Sequence, residues 1–202
     1  MTDFKRVNNE QWTVEELIHK IISEEISKPR FQRKRKWDIK PKSEKVPNEQ
    51  SFINFLFNTE NSVQPITFGK EYEGKYSNID GNNRINAVTH FMRKPFEIFN
   101  QYLDDIFDFI NDLRLDIEIK EYLRNMFSEL SYIDIIGFKY HKYFIENGKQ
   151  DLYKNKLRQF RDDIEPHIEN LQKKLKIKGH KDFHTNVKIT VNIFQGYGIN
   201  DL

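Results

Sequence analysis

The chain has 202 residues, with 33 Lys and Arg against 31 Asp and Glu, and its net charge is +2. This balance excludes a strongly basic nucleic-acid coat protein and an acidic tail. The absence of Cys excludes disulfide scaffolds, Cys-ligated zinc and thiolate catalysis. No stretch reaches the roughly 18 apolar residues of a membrane span, and the first residues lack an apolar leader. The sequence therefore predicts a folded, soluble, intracellular (cytoplasmic) chain without a membrane partner.

A helix is predicted close to the N-terminus. Thr13 and Glu16 have the spacing of a capping box, in which the two side chains bond to backbone amides of the first turn. Apolar residues then recur at helical spacing, which predicts a helix over residues 13–25. Pro29 ends this pattern.

The densest positive charge in the chain follows at residues 30–37, Arg-Phe-Gln-Arg-Lys-Arg-Lys-Trp, which we call the basic–aromatic segment. A solvated basic loop is the simplest interpretation of such a run. The two aromatic residues favour a second interpretation, in which the segment makes contacts. Both interpretations remain open from composition alone.

The middle of the chain predicts a helix, two strands and another helix. A run of apolar residues at 52–57 favours a short helix, and residues 64–68 and 75–79 have the composition of two adjacent strands. Directly after the second strand come residues 80–84, Asp-Gly-Asn-Asn-Arg, and then an apolar helical face. This DGNNR motif is therefore predicted at a strand-to-helix junction.

The DGNNR motif has the residue types of an anion site. Gly81 allows a tight turn, and the first amides of the next helix would face the junction, where the helix dipole favours a phosphate. Arg84 adds a planar set of donors, and Asp80 is a candidate ligand for Mg²⁺ or for a water molecule. The alternative is an ordinary turn with an Asx cap, because Asp-Gly and Asn-rich sequences are common in turns.

The second half of the sequence is predicted to be mostly helical. Spaced aromatic and aliphatic residues predict four helical ranges, 96–113, 117–130, 132–147 and 151–175. Pro166 is expected to kink or break the last of them. Residues 187–193 alternate apolar and polar, as in a half-buried strand that pairs with the strands before Asp80. The fold class predicted is α+β, as a single domain of residues 1–202 with a helical insertion over about 96–176.

Three other groups of polar residues favour ordinary structure. His180 and His184 are four residues apart, but no nearby Glu completes a zinc-protease motif, so surface histidines are the simpler interpretation. His90 follows the DGNNR motif by less than two helical turns, and it either faces the site or is a half-buried helix residue. An acidic helix face, solvated rather than catalytic, is expected at Asp104, Asp105, Asp108 and Asp112.

The ordered motifs resemble the ParB/sulfiredoxin-like domain of the GmrSD type IV restriction systems. That family has an FQR-x-x-x-W element and a DGQQR element, and this chain has Phe31, Gln32, Arg33 and Trp37 followed by the DGNNR motif. The resemblance covers about residues 13–92 by motif, and the helical remainder agrees in outline. It implies a small ParB/sulfiredoxin-like mixed sheet with packed helices.

The resemblance implies a domain that binds a nucleoside triphosphate (NTP), and in the family also hydrolyses it, while acting with a nuclease on foreign or modified DNA. Asp80, Gly81 and Arg84 match the element associated with NTP binding and hydrolysis. Asn82 and Asn83 stand where the family has Gln, and each is one methylene shorter, so binding is expected to survive more readily than hydrolysis. The C-terminal effector domain, a nuclease, is expected to be absent from this sequence.

Catalysis would require the two elements to converge. Arg33 and Arg84 would then neutralise the triphosphate, Gln32 would position the attacking oxygen, and Asp80 would take Mg²⁺. The phosphate-binding set is completed by Gly81, Asn82 and Asn83. Contacts to the DNA backbone, independent of sequence and sensitive to salt, are expected from Arg30, Lys34, Arg35, Lys36 and Trp37. The net charge of +2 predicts that DNA binding is weak.

Two functions from different classes therefore remain open. The first is an NTP-binding and NTP-hydrolysing module of a DNA restriction or defence protein. The second is a non-catalytic module that keeps the fold and uses the basic–aromatic segment to bind nucleic acid or a protein partner. Restoring Gln at positions 82 and 83 separates them, because turnover would rise only in a weakened enzyme.

Overall fold

The structure, a computed structural model, describes residues 6–27, 37–39, 48–58, 65–71 and 74–195. The elements up to the DGNNR motif and the helix after it are β1 (Arg6–Thr13), α1 (Val14–Ile22), β2 (Ile26–Ser27), α2 (Glu49–Asn58), β3 (Ile66–Lys70), β4 (Tyr76–Asp80) and α3 (Asn82–Arg93). The elements that follow are α4 (Pro95–Ile98), α5 (Asp104–Asp112), α6 (Ile117–Glu129), α7 (Tyr132–Ile136), α8 (Tyr140–Glu146), α9 (Gln150–Leu152), α10 (Arg161–Lys174), α11 (Phe183–Asn186) and β5 (Lys188–Gln195).

The five strands form one mixed sheet in the order β1-β5-β3-β4-β2. β5 is antiparallel to β1 and parallel to β3, while β4 is antiparallel to β3 and parallel to β2. The predicted α+β class, with a mixed sheet and a mostly helical second half, is confirmed.

The described residues divide into two compact units. The helical unit is Phe91–Lys176, and the described residues on both sides of it in sequence form the unit that contains the sheet. The helical unit spans nearly the same residues as the predicted insertion. The single-domain assignment itself stays a prediction.

The first helix begins as its sequence predicts. The Thr13 hydroxyl accepts a hydrogen bond from the Glu16 amide at 3.1 Å, and the Glu16 carboxylate accepts one from the Thr13 amide at 2.6 Å. These two bonds form the predicted capping box. The apolar side chains of Val14 and Leu17 are then directed into the core, where both are fully buried.

β5 joins the two ends of the sheet unit. Its residues Ile189, Val191 and Ile193 are buried, as the alternating pattern predicts. Its pairing with β3 is confirmed, and its antiparallel pairing with β1 was not anticipated, because the sequence of β1 contains few apolar residues. β5 therefore places β1, from the start of the chain, in the same sheet as β3 and β4.

Of the predicted kink or break at Pro166, the break is wrong. α9 passes into a π-helical turn at Tyr153–Leu157 and a 3₁₀ turn at Arg158–Phe160 before α10 begins. α10 then continues through Pro166 to its end at Lys174. A proline in the second turn removes the hydrogen bond to the carbonyl four residues earlier and crowds that carbonyl, but α10 continues in spite of both effects.

Candidate anion-binding site

The DGNNR motif lies at the strand-to-helix junction that the sequence predicts. Asp80 is the last residue of β4, and α3 begins at Asn82. Because β3 runs antiparallel to β4, the start of β3 lies at the same edge of the sheet, and Thr67 pairs there with Asp80. The junction is therefore formed by the end of β4, the start of β3 and the first turn of α3.

Gly81 connects β4 to α3 in a conformation that other residues rarely adopt. Its φ is +102°, and a Cβ atom at this position would lie 3.0 Å from both Cγ1 and Cγ2 of Ile66. Ile66 is fully buried at the start of β3, so its side chain has no room to move. The Ile85 amide donates to the Gly81 carbonyl at 3.0 Å and closes the first turn of α3. Glycine at position 81 thus allows α3 to begin directly against the sheet.

Arg84 links the two strands at this edge. Its Nη1 donates to the Pro65 carbonyl at 3.0 Å, and its Nη2 lies 3.2 Å from Oδ2 of Asp80. The Arg84 side chain is 12% exposed, whereas that of Asp80 is 72% exposed. Because the Asp80 carboxylate lies in solvent, its attraction to Arg84 is weakened by water, and an incoming anion could compete with Asp80 for Nη2 of Arg84.

The electrostatics of the junction favour an anion on one side and a cation on the other. The first amides of α3 and the Arg84 guanidinium supply positive potential within one helical turn. Asn82 and Asn83 lie half-buried in the same turn, beside Arg84. Asp80 would repel a phosphate placed there unless a cation neutralised its carboxylate.

Asp80 fits Mg²⁺ only in the company of a phosphate. The described ranges contain no group of three or more His, Asp or Glu side chains that could hold a metal ion. Mg²⁺ is usually bound by one or two carboxylates together with phosphate oxygens and water. One exposed carboxylate at a candidate phosphate site matches that pattern.

Most of the basic–aromatic segment lies outside the described residues, namely Arg30, Phe31, Gln32, Arg33, Lys34, Arg35 and Lys36. Its last residue, Trp37, is described, and its ring packs edge-on against Phe52 of α2 with the centroids 5.5 Å apart. The amides of Glu49 and Gln50 donate to the carbonyls of Asp38 and Ile39 at 3.0 and 3.1 Å. The end of the segment is therefore attached to the first turns of α2.

His90 has a carboxylate partner that the sequence did not indicate. Its Nδ1 lies 2.6 Å from Oε2 of Glu49, which is 0% exposed, while His90 is 14% exposed. Asn48 caps α2, the helix that contains Glu49, since its Oδ1 accepts a hydrogen bond from the Ser51 amide at 2.8 Å. These polar residues before an apolar run are typical of a helix start, but nothing in the pattern shows that Glu49 is buried.

The weaker candidates have ordinary surroundings. His180 has a φ of +60° and precedes α11, whereas His184 lies within that four-residue helix, so the two do not share a helix face. On α5, Asp105 bonds to Lys174 at 2.8 Å and to Asn170 at 2.9 Å. The hydrogen bond from Lys174 holds the pKa of Asp105 below its usual range. The other three aspartates of this helix are exposed, as expected for an acidic face.

Comparisons of the chain with protein-family models, with curated proteins and with solved structures found no match. Within the described part of the chain, no helix has the length and apolar character needed to cross a membrane. Function therefore has to be inferred from the chemistry of the DGNNR junction and from the sequence motifs.

We predict that Gly81→Ala lowers the free energy of unfolding by about 1–3 kcal/mol, because the new Cβ meets Ile66 and the residue keeps a strained φ. Urea denaturation measures this loss.

The matched control for this substitution is Gly74→Ala. Gly74 has a φ of +79° but no atom within 4 Å of an added Cβ. Gly74→Ala therefore introduces conformational strain without the steric clash, and it should lower the free energy of unfolding by less than Gly81→Ala does. Equal losses in the two variants would contradict the close packing of Gly81 on Ile66.

Proposed function

We propose that this chain is a nucleotide-binding module that holds the phosphates of an NTP at the DGNNR junction. The observation that supports this best is the position of Arg84, bonded to Pro65 and Asp80 in the first turn of a helix that starts at a sheet edge. This arrangement combines the two features that bind phosphates in proteins, namely helix N-terminal amides and a planar cation.

The affinity of this site for a phosphate can be estimated from the free energies that its two features contribute. A helix N-terminus contributes about 0.3–1 kcal/mol to an anion, and a hydrogen bond to a charged group about 1.5–3 kcal/mol. Together these terms correspond to dissociation constants of about 1 mM or weaker, since 1 mM equals about 4.1 kcal/mol. Tighter binding would need further groups, and Gln32 and Arg33 are the candidates that the family resemblance supplies.

Mg²⁺ is the metal that we propose for Asp80. When bound with the nucleotide it would neutralise charge on the phosphates and on the Asp80 carboxylate. Asp80 would otherwise repel the phosphate and compete with it for Arg84. The proposed site is therefore one in which NTP binding depends on Mg²⁺.

Hydrolysis of the NTP and cooperation with a nuclease on DNA are the parts of the proposal that rest on the resemblance to the GmrSD family. The basic–aromatic segment would contact the DNA backbone in this scheme. Asn82 and Asn83 favour the alternative, a non-catalytic module that binds nucleic acid or a protein partner, because both side chains are shorter than the family's Gln.

We predict that MgATP or another Mg·NTP raises the thermal midpoint of the wild-type chain and that Arg84→Ala abolishes the rise. At about ten times the dissociation constant the linkage is about 1.4 kcal/mol, which corresponds to about 3–6 °C for a chain of this size. Differential scanning fluorimetry with each NTP measures it.

Arg93→Ala is the control for the Arg84 substitution, because Arg93 is exposed at the last residue of the same helix. It should retain the full nucleotide-dependent rise. The absence of any rise in the wild type with every Mg·NTP at about 10 mM, ten times the tightest dissociation constant expected from these contacts, would contradict the proposal.

We predict that Asp80→Asn reduces the dependence of nucleotide binding on Mg²⁺. The substitution removes the charge that repels the phosphate, so binding without Mg²⁺ should strengthen relative to the wild type. Isothermal titration calorimetry with and without the metal gives the two affinities. If the ratio of these affinities is the same in both proteins, Asp80 has no part in the site.

We predict that the double substitution Asn82→Gln with Asn83→Gln raises NTP turnover if the chain is an enzyme weakened by its shorter side chains. Phosphate release at saturating Mg·NTP measures turnover. An increase of about tenfold or more would support the enzyme, since misplacement by about an ångström can cost about a hundredfold in rate. Unchanged turnover with unchanged NTP binding would favour the non-catalytic module.

A further inference from the structure

The first turns of α2 connect two elements that the sequence motifs treat as partners. On the backbone side, the amides of Glu49 and Gln50 donate to the carbonyls of Asp38 and Ile39. On the side-chain side, the Glu49 carboxylate bonds to His90 of α3 at 2.6 Å. α2 therefore joins the end of the basic–aromatic segment to the helix that begins at the DGNNR motif.

The connection between α2 and α3 depends on a buried carboxyl group, that of Glu49. Glu49 is completely buried, and removing its carboxyl group from water costs free energy that its polar contacts, among them the bond to His90, must offset. An apolar pair of similar volume would often hold two helices together at least as stably. The polar pair adds a geometric constraint, because a short carboxylate–imidazole hydrogen bond fixes both the distance and the orientation of its two groups.

We propose that Glu49 and His90 form a positioning pair that holds residues 37–39 in register with α3. α3 is a continuous helix, and His90 lies eight residues after Asn82, about 12 Å along the helix axis. Fixing α3 at His90 therefore fixes the rotation of its first turn, where Arg84 lies. The pair thus sets the relation between the Trp37 end of one motif and the DGNNR motif.

The pair also links nucleotide binding to the surroundings of Trp37, and this link rests on the proposed function. If nucleotide binding at the first turn of α3 shifts that helix, the environment of Trp37 must respond through the pair. In that case nucleotide binding and the local opening of residues 37–39 would be coupled, and each would shift the equilibrium of the other.

The test uses ¹⁹F NMR of the whole chain labelled with 5-fluorotryptophan. The chain has two Trp residues, Trp12 and Trp37, so two resonances are expected, and Trp37→Phe assigns them. Trp12 is 5% exposed and serves as the internal control. The difference in shift between H₂O and D₂O measures the solvent exposure of each ring.

The positioning pair predicts that Glu49→Leu and His90→Leu each raise the exposure of Trp37 about twofold, as expected for local opening, while Trp12 is unchanged. The double variant should add nothing to either single variant, because both remove the same interaction. Ile53→Val is the matched control, since it removes one methylene from the buried face of α2 and leaves both side chains of the pair in place. If Glu49→Leu does not fold, the milder His90→Gln should still raise the exposure of Trp37.

Two results would overturn the positioning pair: no change at Trp37 in the pair variants, or an equal change in Ile53→Val. Addition of MgATP, and then of the other Mg·NTPs, separates this proposal from the proposed function. If the pair variants expose Trp37 but no Mg·NTP moves a resonance or raises the thermal midpoint, the pair stands and the nucleotide site fails. If MgATP raises the midpoint but the pair variants leave Trp37 unchanged, the nucleotide site stands and the pair is refuted.

Discussion

The close approach of the Gly81 backbone to Ile66 is the constraint on which the candidate site depends. A Cβ atom at position 81 would lie 3.0 Å from the Ile66 side chain, and the φ of +102° strains any residue other than glycine, so the passage from β4 into α3 favours glycine strongly. Because α3 starts there, Arg84 reaches the carbonyl of Pro65, the residue before β3. The position of the guanidinium thus follows from a packing contact in the sheet.

The sheet that supports this junction is assembled from distant parts of the chain. β5 inserts between β1 and β3, and its alternating apolar residues fill the core beside Ile66. The first turns of α2 add a second link, through Glu49 to His90 and through two backbone hydrogen bonds to residues 37–39. The proposed site therefore combines local geometry at the DGNNR motif with long-range links that keep its surroundings in place.

Local signals in the sequence predict local structure well. The capping box at Thr13, the β3–β4 pair and the helix after the DGNNR motif are each encoded by a few neighbouring residues. The sequence does not predict β1, because this strand depends on pairing with β5. It does not predict the Glu49/His90 pair either, because Glu49 has the sequence context of a solvated residue at a helix start but is buried. The sequence places Arg84 at the junction, but its bond to Pro65 is visible only in three dimensions. No sequence pattern shows which carbonyl a half-buried arginine will reach.

The central claim is that a triphosphate binds at the first turn of α3. Amide chemical shifts from ¹⁵N–¹H correlation spectra during titration with MgATP, and then with the other Mg·NTPs, test it most directly, because the amides that face a phosphate respond most strongly. Binding there would give saturable shifts for at least one NTP, centred on Gly81, Asn82 and Asn83, with dissociation constants of about 1 mM or weaker unless Gln32 and Arg33 add contacts. Unchanged amides at these three positions with every NTP, or shifts confined to other parts of the chain, would contradict it.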